Sequence, residues 1–452
     1  SENRIKSLSF PEDSEVESIK GYAFLKAHIR KIQFPASLKK LDDFWCQNVY
    51  DLISIEVSPK NKFFLFIDNS YLVGKSQENS DVYDILYYAR YDIKNAIIPP
   101  KIQRLKTNSF RSHNLFSISF PENSKLKVIE DFAFSGSTIR KLSIPAELTE
   151  IDGKNFDSVD KLIDISVSTK NNLFYYSDNK YLLKKSQPES INYDILVFCR
   201  RDITKAVIPS YIKEISGNAF NCCTKLTNLS FEPNSSLTTI SYSAFCFCYG
   251  LKMIVFPESI QKVGINAFSF IGSLKFVRFL GKSVVIGRSC FSSCRSLSAI
   301  SFPHANQIIF SDKSFSDVPD EMVIRVSSKA NLLGTGIDDC MKYIKYYEDN
   351  KRENEEDDAD NDGSTIDAIE RSAPPLLQRD EQDLQEEIFG DFVEVDDESS
   401  YEDDDDNDYL AHKTDTNMQV GNDNKNDLNN NEKEDNINGN LDEEDTLNNN
   451  NE

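Results

Sequence analysis

The stretch SFPEDSEVESIKGYAF (9–24) returns as SFPENSKLKVIEDFAF (119–134). The same shift of 110 turns IRKIQFPASLKKL (29–41) into IRKLSIPAELTEI (139–151), and DIKNAIIPPKIQRLKTNSF (92–110) into DITKAVIPSYIKEISGNAF (202–220). A chain that repeats itself this way reads as an array of stacked supersecondary units, and the functional question moves from a pocket to an extended surface.

Inside the long period runs one of about 23 residues. Its first part alternates and stops at proline, as in Leu8-Ser9-Phe10-Pro11 and Ile300-Ser301-Phe302-Pro303. Alternation marks a short strand with one face buried, and proline, lacking an N–H, ends it. Its second part closes on Ala-Phe, at Ala133-Phe134, Ala219-Phe220, Ala244-Phe245 and Ala267-Phe268. The ring enters the core, and alanine allows close backbone approach. The second strand apolar recurs at Phe10, Phe34, Val57, Ile98, Phe120, Ile144, Val167, Ile208, Phe231, Phe256, Phe279, Phe302 and Val326. With parallel neighbours about 4.8 Å apart, thirteen such strands predict a stack roughly 60 Å long.

The units KLTNLSFEPNSSLTTISYSAFCFC (225–248) and GLKMIVFPESIQKVGINAFSFI (250–271) carry a resemblance to the BspA-like leucine-rich repeat family, over about residues 4–330. The expected fold is therefore a repeat solenoid: a leucine-rich-repeat-like, right-handed β-solenoid of short parallel strands. Two units depart from the pattern. Phe279 is followed by Leu280-Gly281 rather than proline, and Phe44-Trp45-Cys46 replaces Ala-Phe. Irregular coils are expected there.

Two steps are 41 residues long and hold aromatic-rich islands at 59–95 and 169–205. Asp68-Asn69 and Asp178-Asn179 sit between β-rich flanks, so each island reads as a hairpin followed by a third strand. Phe66, Tyr71, Tyr87, Tyr88, Tyr176, Tyr181 and Phe198 exceed what one coil needs. Packing of the insert onto the solenoid is their ordinary use; an exposed aromatic contact patch is the sharper reading.

Charge divides the chain. Residues 351–452 hold 36 acidic and 7 basic side chains, a net of −29, in a chain whose total is −23. The first 350 residues are therefore mildly basic, at +6. The acidic, Asn-rich end has few apolar residues and no sustained period, so residues 348–452 read as a disordered tail beside a solenoid of residues 1–347. Within it, Ile388, Phe389, Phe392 and Val393 stand among acids, the composition of a segment that folds onto a basic, apolar groove. Ser399 and Ser400 precede acids by three residues, a setting for acid-directed phosphorylation. No run approaches 18 consecutive apolar residues, so no membrane span is expected. The chain begins at Ser1 without a methionine, so either methionine was removed or the chain is a piece of a longer one.

Catalytic chemistry finds no constellation. The four histidines are scattered, and no glycine-rich phosphate loop follows a strand. Cys223, Cys248 and Cys294 each lie three residues after the repeat phenylalanine, a slot filled by Ile271 in another coil. They therefore read as small core hydrophobes rather than metal ligands. No enzyme, catalytic residue, metal or cofactor is expected. A body at +6 with dispersed Lys and Arg gives no nucleic-acid footprint.

Function then falls to the outward ladder face. The residue between the two strand apolars is serine at 119, 143, 166, 230 and 301, and arginine at 278 and 325. Ser119, Ser143, Ser166, Ser230, Arg278, Ser301 and Arg325 are the candidate ligand face, for a protein or glycan and in a monomer. The plainer use of the serines is a neutral, soluble ladder. The family resemblance implies a surface antigen binding host cells, matrix proteins or other microbes. An intracellular scaffold in the cytoplasm, whose acidic tail recruits a basic partner, is the alternative.

Overall fold

The computed structural model describes residues 6–347, all of which belong to a parallel β-solenoid. The alternating segments form one ladder of fourteen strands in four sheets: three strands from Ser7–Ser9 to Ser54–Val57, four from Asn95–Ile97 to Asp164–Val167, two at Lys205–Ile208 and Asn228–Phe231, and five from Met253–Phe256 to Ile344–Tyr346. All thirteen recurring apolars lie on these strands or immediately after them, and Ile344–Tyr346 adds one coil. Lys141–Ile144 and Ala299–Phe302 alternate exposed and buried residues, as a strand with one buried face must.

A second ladder of shorter strands runs along another side, from Ser18–Ile19 to Asn331–Leu333. The Ala-Phe segments form a third stack built of turns. Each contains two residues with positive φ, four apart: Asn218 and Cys222, Ser243 and Phe247, Asn266 and Phe270, Ser289 and Ser293. This twist aims N–H groups along the solenoid axis. Asn218, Phe220 and Cys222 donate to the carbonyls of Tyr242, Ala244 and Cys246 in the next coil, at 3.1, 2.7 and 3.0 Å. The turns thus meet the backbone requirement without strands.

Phenylalanine stacking fills the core. Phe220, Phe245, Phe268, Phe291 and Phe315 form one column with centroids 4.6–5.7 Å apart. Phe256, Phe279 and Phe302 form another, at 4.6 and 4.8 Å. Cys223, Cys248, Ile271 and Cys294 are all fully buried in their common slot. The coil with Phe44-Trp45-Cys46 keeps the regular backbone, with positive φ at Phe44 and Asn48. There Trp45 takes the alanine place and meets Phe34 and Tyr88 edge-on at 5.7 and 6.1 Å. The expected irregularity is therefore one of side chains.

Each island contains the expected hairpin and third strand: Phe64–Ile67, Tyr71–Gly74 and Ile85–Ala89, then Phe174–Ser177, Tyr181–Lys184 and Ile195–Cys199. Asp68 and Asn69 have φ of 51° and 47°, Asp178 and Asn179 of 52° and 50°, as a type I′ turn requires. The third strand is not an appendage. Ile85 and Leu86 pair in parallel with Arg104 and Leu105, and Ile195 and Leu196 with Glu214 and Ile215. The long step is thus one enlarged coil whose hairpin extends the second ladder. The first ladder breaks at both islands and again between Asn228–Phe231 and Met253–Phe256, and the core divides at the islands into three clusters, Ile19–Tyr88, Tyr71–Phe198 and Tyr181–Tyr343.

Candidate binding face

The first ladder sets its outward residues side by side. Ser143 lies opposite Ser166, and Ser119 belongs to the same four-stranded sheet. Arg278 pairs with Ser301, and Ser301 with Arg325. Ser230 stands in the separate two-stranded sheet beside Val207. The predicted face is therefore two patches, one of serines and one of arginines, with Ser230 between them in sequence. Ser166 is exposed; Ser143 and Ser119 are half-buried, and Ser143 Oγ has no hydrogen-bond partner among the described residues.

The arginine patch extends one step further than expected, because Lys345 pairs with Arg325. Neighbouring strands are about 4.8 Å apart, so these cations form a short stripe. Tyr347 lies against the same patch. Its hydroxyl is hydrogen-bonded to Ser301 beside Arg278 and Arg325, and burial raises its pKa. Ser301 is thus already engaged by the chain itself. Lys345 and Tyr347 were missed because they follow the last Pro-terminated repeat.

The island aromatics need correction. Tyr71, Tyr88, Tyr181 and Phe198 are 5%, 5%, 3% and 0% exposed, so they are core side chains and not surface contacts. The enlarged coil closes on them. Tyr88 donates its hydroxyl hydrogen bond to Leu52 O, and Tyr181 donates its own to Val207 O at 3.2 Å. Burial pushes both phenols to higher pKa. Phe66, Tyr87 and Tyr176 are half-buried. The tail residues Ile388, Phe389, Phe392 and Val393, with Ser399 and Ser400, lie outside the described residues.

Two side chains that the sequence did not single out hold the islands. Asn61 Nδ2 donates to Pro35 O and Leu38 O at 2.8 and 2.9 Å, while its Oδ1 accepts from Phe63 N and Phe64 N. Asn171 repeats all four bonds with Pro145, Leu148, Leu173 and Phe174. Each pins a hairpin to the preceding coil.

All nine cysteines are free. Burial pushes the thiols of Cys222, Cys294 and Cys340 up to about 11, 12 and 12. Cys223 goes the other way: burial raises it, but the hydrogen bond from Cys199 and the charge of Arg201 outweigh that. Among the described residues no group of three or more His, Cys, Asp or Glu is placed to hold a metal ion, and no helix is long and apolar enough to cross a membrane.

Six copies of the BspA type leucine-rich repeat region match the chain, over residues 1–70, 80–197 and 189–320. No curated protein matches it. Among solved structures, the chain is similar to the pneumococcal vaccine antigen PcpA, at 16% identity over 75% of this chain and 87% of that one, with a TM-score of 0.48. It is similar to a leucine-rich repeat protein from Eubacterium ventriosum at 15% identity, over 72% and 78% of the two chains, TM-score 0.48. A leucine-rich cell surface protein from Faecalibacterium prausnitzii shares 16% identity over 74% and 89%, TM-score 0.44.

Proposed function

We propose, from the premise that the chain belongs to the BspA-type leucine-rich repeat family, that it is a non-enzymatic recognition protein working through its first ladder. In this reading residues 1–347 are the binding body and 348–452 a separate acidic segment. The observation that carries it is the register of Arg278, Ser301, Arg325 and Lys345, which sets three cations in one line on an extended face. Their spacing suits an acidic segment of a protein ligand, each contact being modest and the sum selective.

Adhesion at a cell surface is the setting we infer for such a face. Labelling of intact cells with an impermeant biotin reagent tests it: the chain is expected to be labelled, and protection until lysis ends this reading. The face itself is tested by probing protein and glycan arrays with the full chain and with R278E/R325E. Bound signal is expected to fall at least about tenfold in the variant, the scale of two charge-assisted contacts. An unchanged signal places recognition elsewhere.

A scaffold inside the cell is the second reading. It draws on the nine free cysteines, most of them buried as core packing, since a reducing compartment suits unpaired thiols. The biotin experiment separates the two.

A further inference from the structure

The two islands interrupt the turn stack in the same way but close the gap differently. At the second island the gap lies between the turns 153–158 and 217–222, and the buried side chain of Arg201 fills it. Its Nε donates to Val159 O at 2.9 Å, Nη2 to Phe156 O and Asn218 O at 3.2 and 3.1 Å, and Nη1 to Ala219 O at 2.7 Å. The guanidinium lies 4.4 Å from the Phe198 ring centroid. Nη1 also reaches Cys223 Sγ at 3.6 Å, so a cation is held in the interior by carbonyl dipoles, a thiol and a ring face, with no carboxylate among these partners.

The shift of 110 places Tyr91 where Arg201 stands. Tyr91 turns aside and packs against Tyr50 and His113, with both centroid distances 5.1 Å. What remains is a cleft of about 40 Å³. That is room for roughly three waters, close to the footprint of a guanidinium head. The lining matches the arginine cage in part, with His113 at the place of Cys223. Cys46, Val49, Asn108 and Tyr88 line the cleft and stand at the places of Phe156, Val159, Asn218 and Phe198. Val49 O receives no hydrogen bond among the described residues, whereas its counterpart Val159 O takes Arg201 Nε.

We propose that this cleft takes the guanidinium of an arginine presented by a partner protein, in the position that Arg201 fills from within at the second island. The cage carbonyls would receive its N–H groups and the Tyr88 ring its face. Two groups that can carry positive charge stand on the same lining. Arg111 lines the cleft, donates from Nη1 to Asn108 Oδ1 at 3.5 Å and lies 5.9 Å from the Phe132 ring centroid. His113 is buried with Nδ1 3.0 Å from Arg111 O and Nε2 2.9 Å from Ala89 O; burial lowers its pKa while these carbonyls raise it. A second feature favours an arginine within a peptide over a free guanidinium ion. At the second island Ser158 N donates to Asn221 Oδ1 at 3.2 Å, but the counterpart Asn48 N finds no acceptor among the described residues, because Arg111 replaces that asparagine. A peptide carbonyl would supply one. This inference is independent of the ladder-face reading.

Trp45 lines the cleft and is the chain's single tryptophan, so its emission reports occupancy. The full chain is titrated with N-acetyl-arginine methylamide, its uncharged citrulline counterpart, and methylguanidinium. The arginine probe is expected to change Trp45 emission saturably, and at least about tenfold more tightly than the citrulline probe. Methylguanidinium is expected to bind more weakly than the arginine probe, and equal binding would overturn the peptide assignment. Y91R, which restores an internal plug, is expected to abolish the response, while Y91F retains it. No saturable response in the wild-type chain, or equal binding of arginine and citrulline probes, overturns the proposal even if Y91R does not fold.

Discussion

Single side chains carry unequal weight in this stack. Phe268 is fully buried and touches both ring columns, stacking on Phe245 at 4.9 Å and meeting Phe256 edge-on at 5.5 Å. Phe268→Ala is expected to cost about 3–5 kcal/mol in urea unfolding, because neighbouring coils cannot collapse into the gap without leaving register. Arg201 has similar weight for a different reason. Arg201→Met removes four hydrogen bonds to carbonyls and leaves Val159 O without a donor, and a loss of about 3 kcal/mol is expected in the same assay. A change under half a kilocalorie would mean that water replaces the guanidinium freely. The thiols give a pH test. Cys222, Cys294 and Cys340 have folded pKa values raised to about 11, 12 and 12, above the free-thiol value of about 8.5. Their contribution is fully present below pH about 8.5 and is lost as pH rises through 11 to 12, since the unfolded chain gives up these protons first. Stability measured from pH 8 to 11 is expected to fall, and less steeply in Cys294→Ala. Equal slopes would contradict the assignment.

At the level of elements, the first ladder and both hairpins were legible in the residues. Alternation, proline stops and Asp-Asn turns are local signals, and the structure puts strands and type I′ turns where they fall. The second ladder was much less legible. Its strands are often two residues long, as at Glu214–Ile215 and Thr239–Ile240, too short for any period. The third island strand read as part of an insert because parallel pairing to a coil some 20 residues on leaves no local mark. The candidate face was half legible: Ser and Arg positions follow from alternation, but cover by Tyr347 does not. The asparagine pins were invisible, since a buried Asn and a loop Asn look alike in sequence. Asn171→Ala should remove four buried hydrogen bonds and cost about 2–4 kcal/mol. Amide exchange in Phe174–Lys184 is expected to rise with it while Asn228–Phe231 stays protected. Equal change in both segments would contradict a local pin.

Over the whole molecule, stability in a solenoid is a sum of unit and neighbour terms, so a weak junction divides the stack. The first ladder is broken at both islands and again between Asn228–Phe231 and Met253–Phe256, but the three core clusters meet at the islands alone. The second island has Arg201 across its gap, while the first has an open cleft. The cluster Ile19–Tyr88 therefore has the weaker connection and is expected to open first. Hydrogen exchange of the full chain through a urea series tests this arrangement most directly. Protection is expected to vanish in blocks whose edges fall within 64–89 and 174–199, the N-terminal block first. Loss of protection in one step along residues 6–347, or edges lying among the regular coils beyond 220, would contradict it.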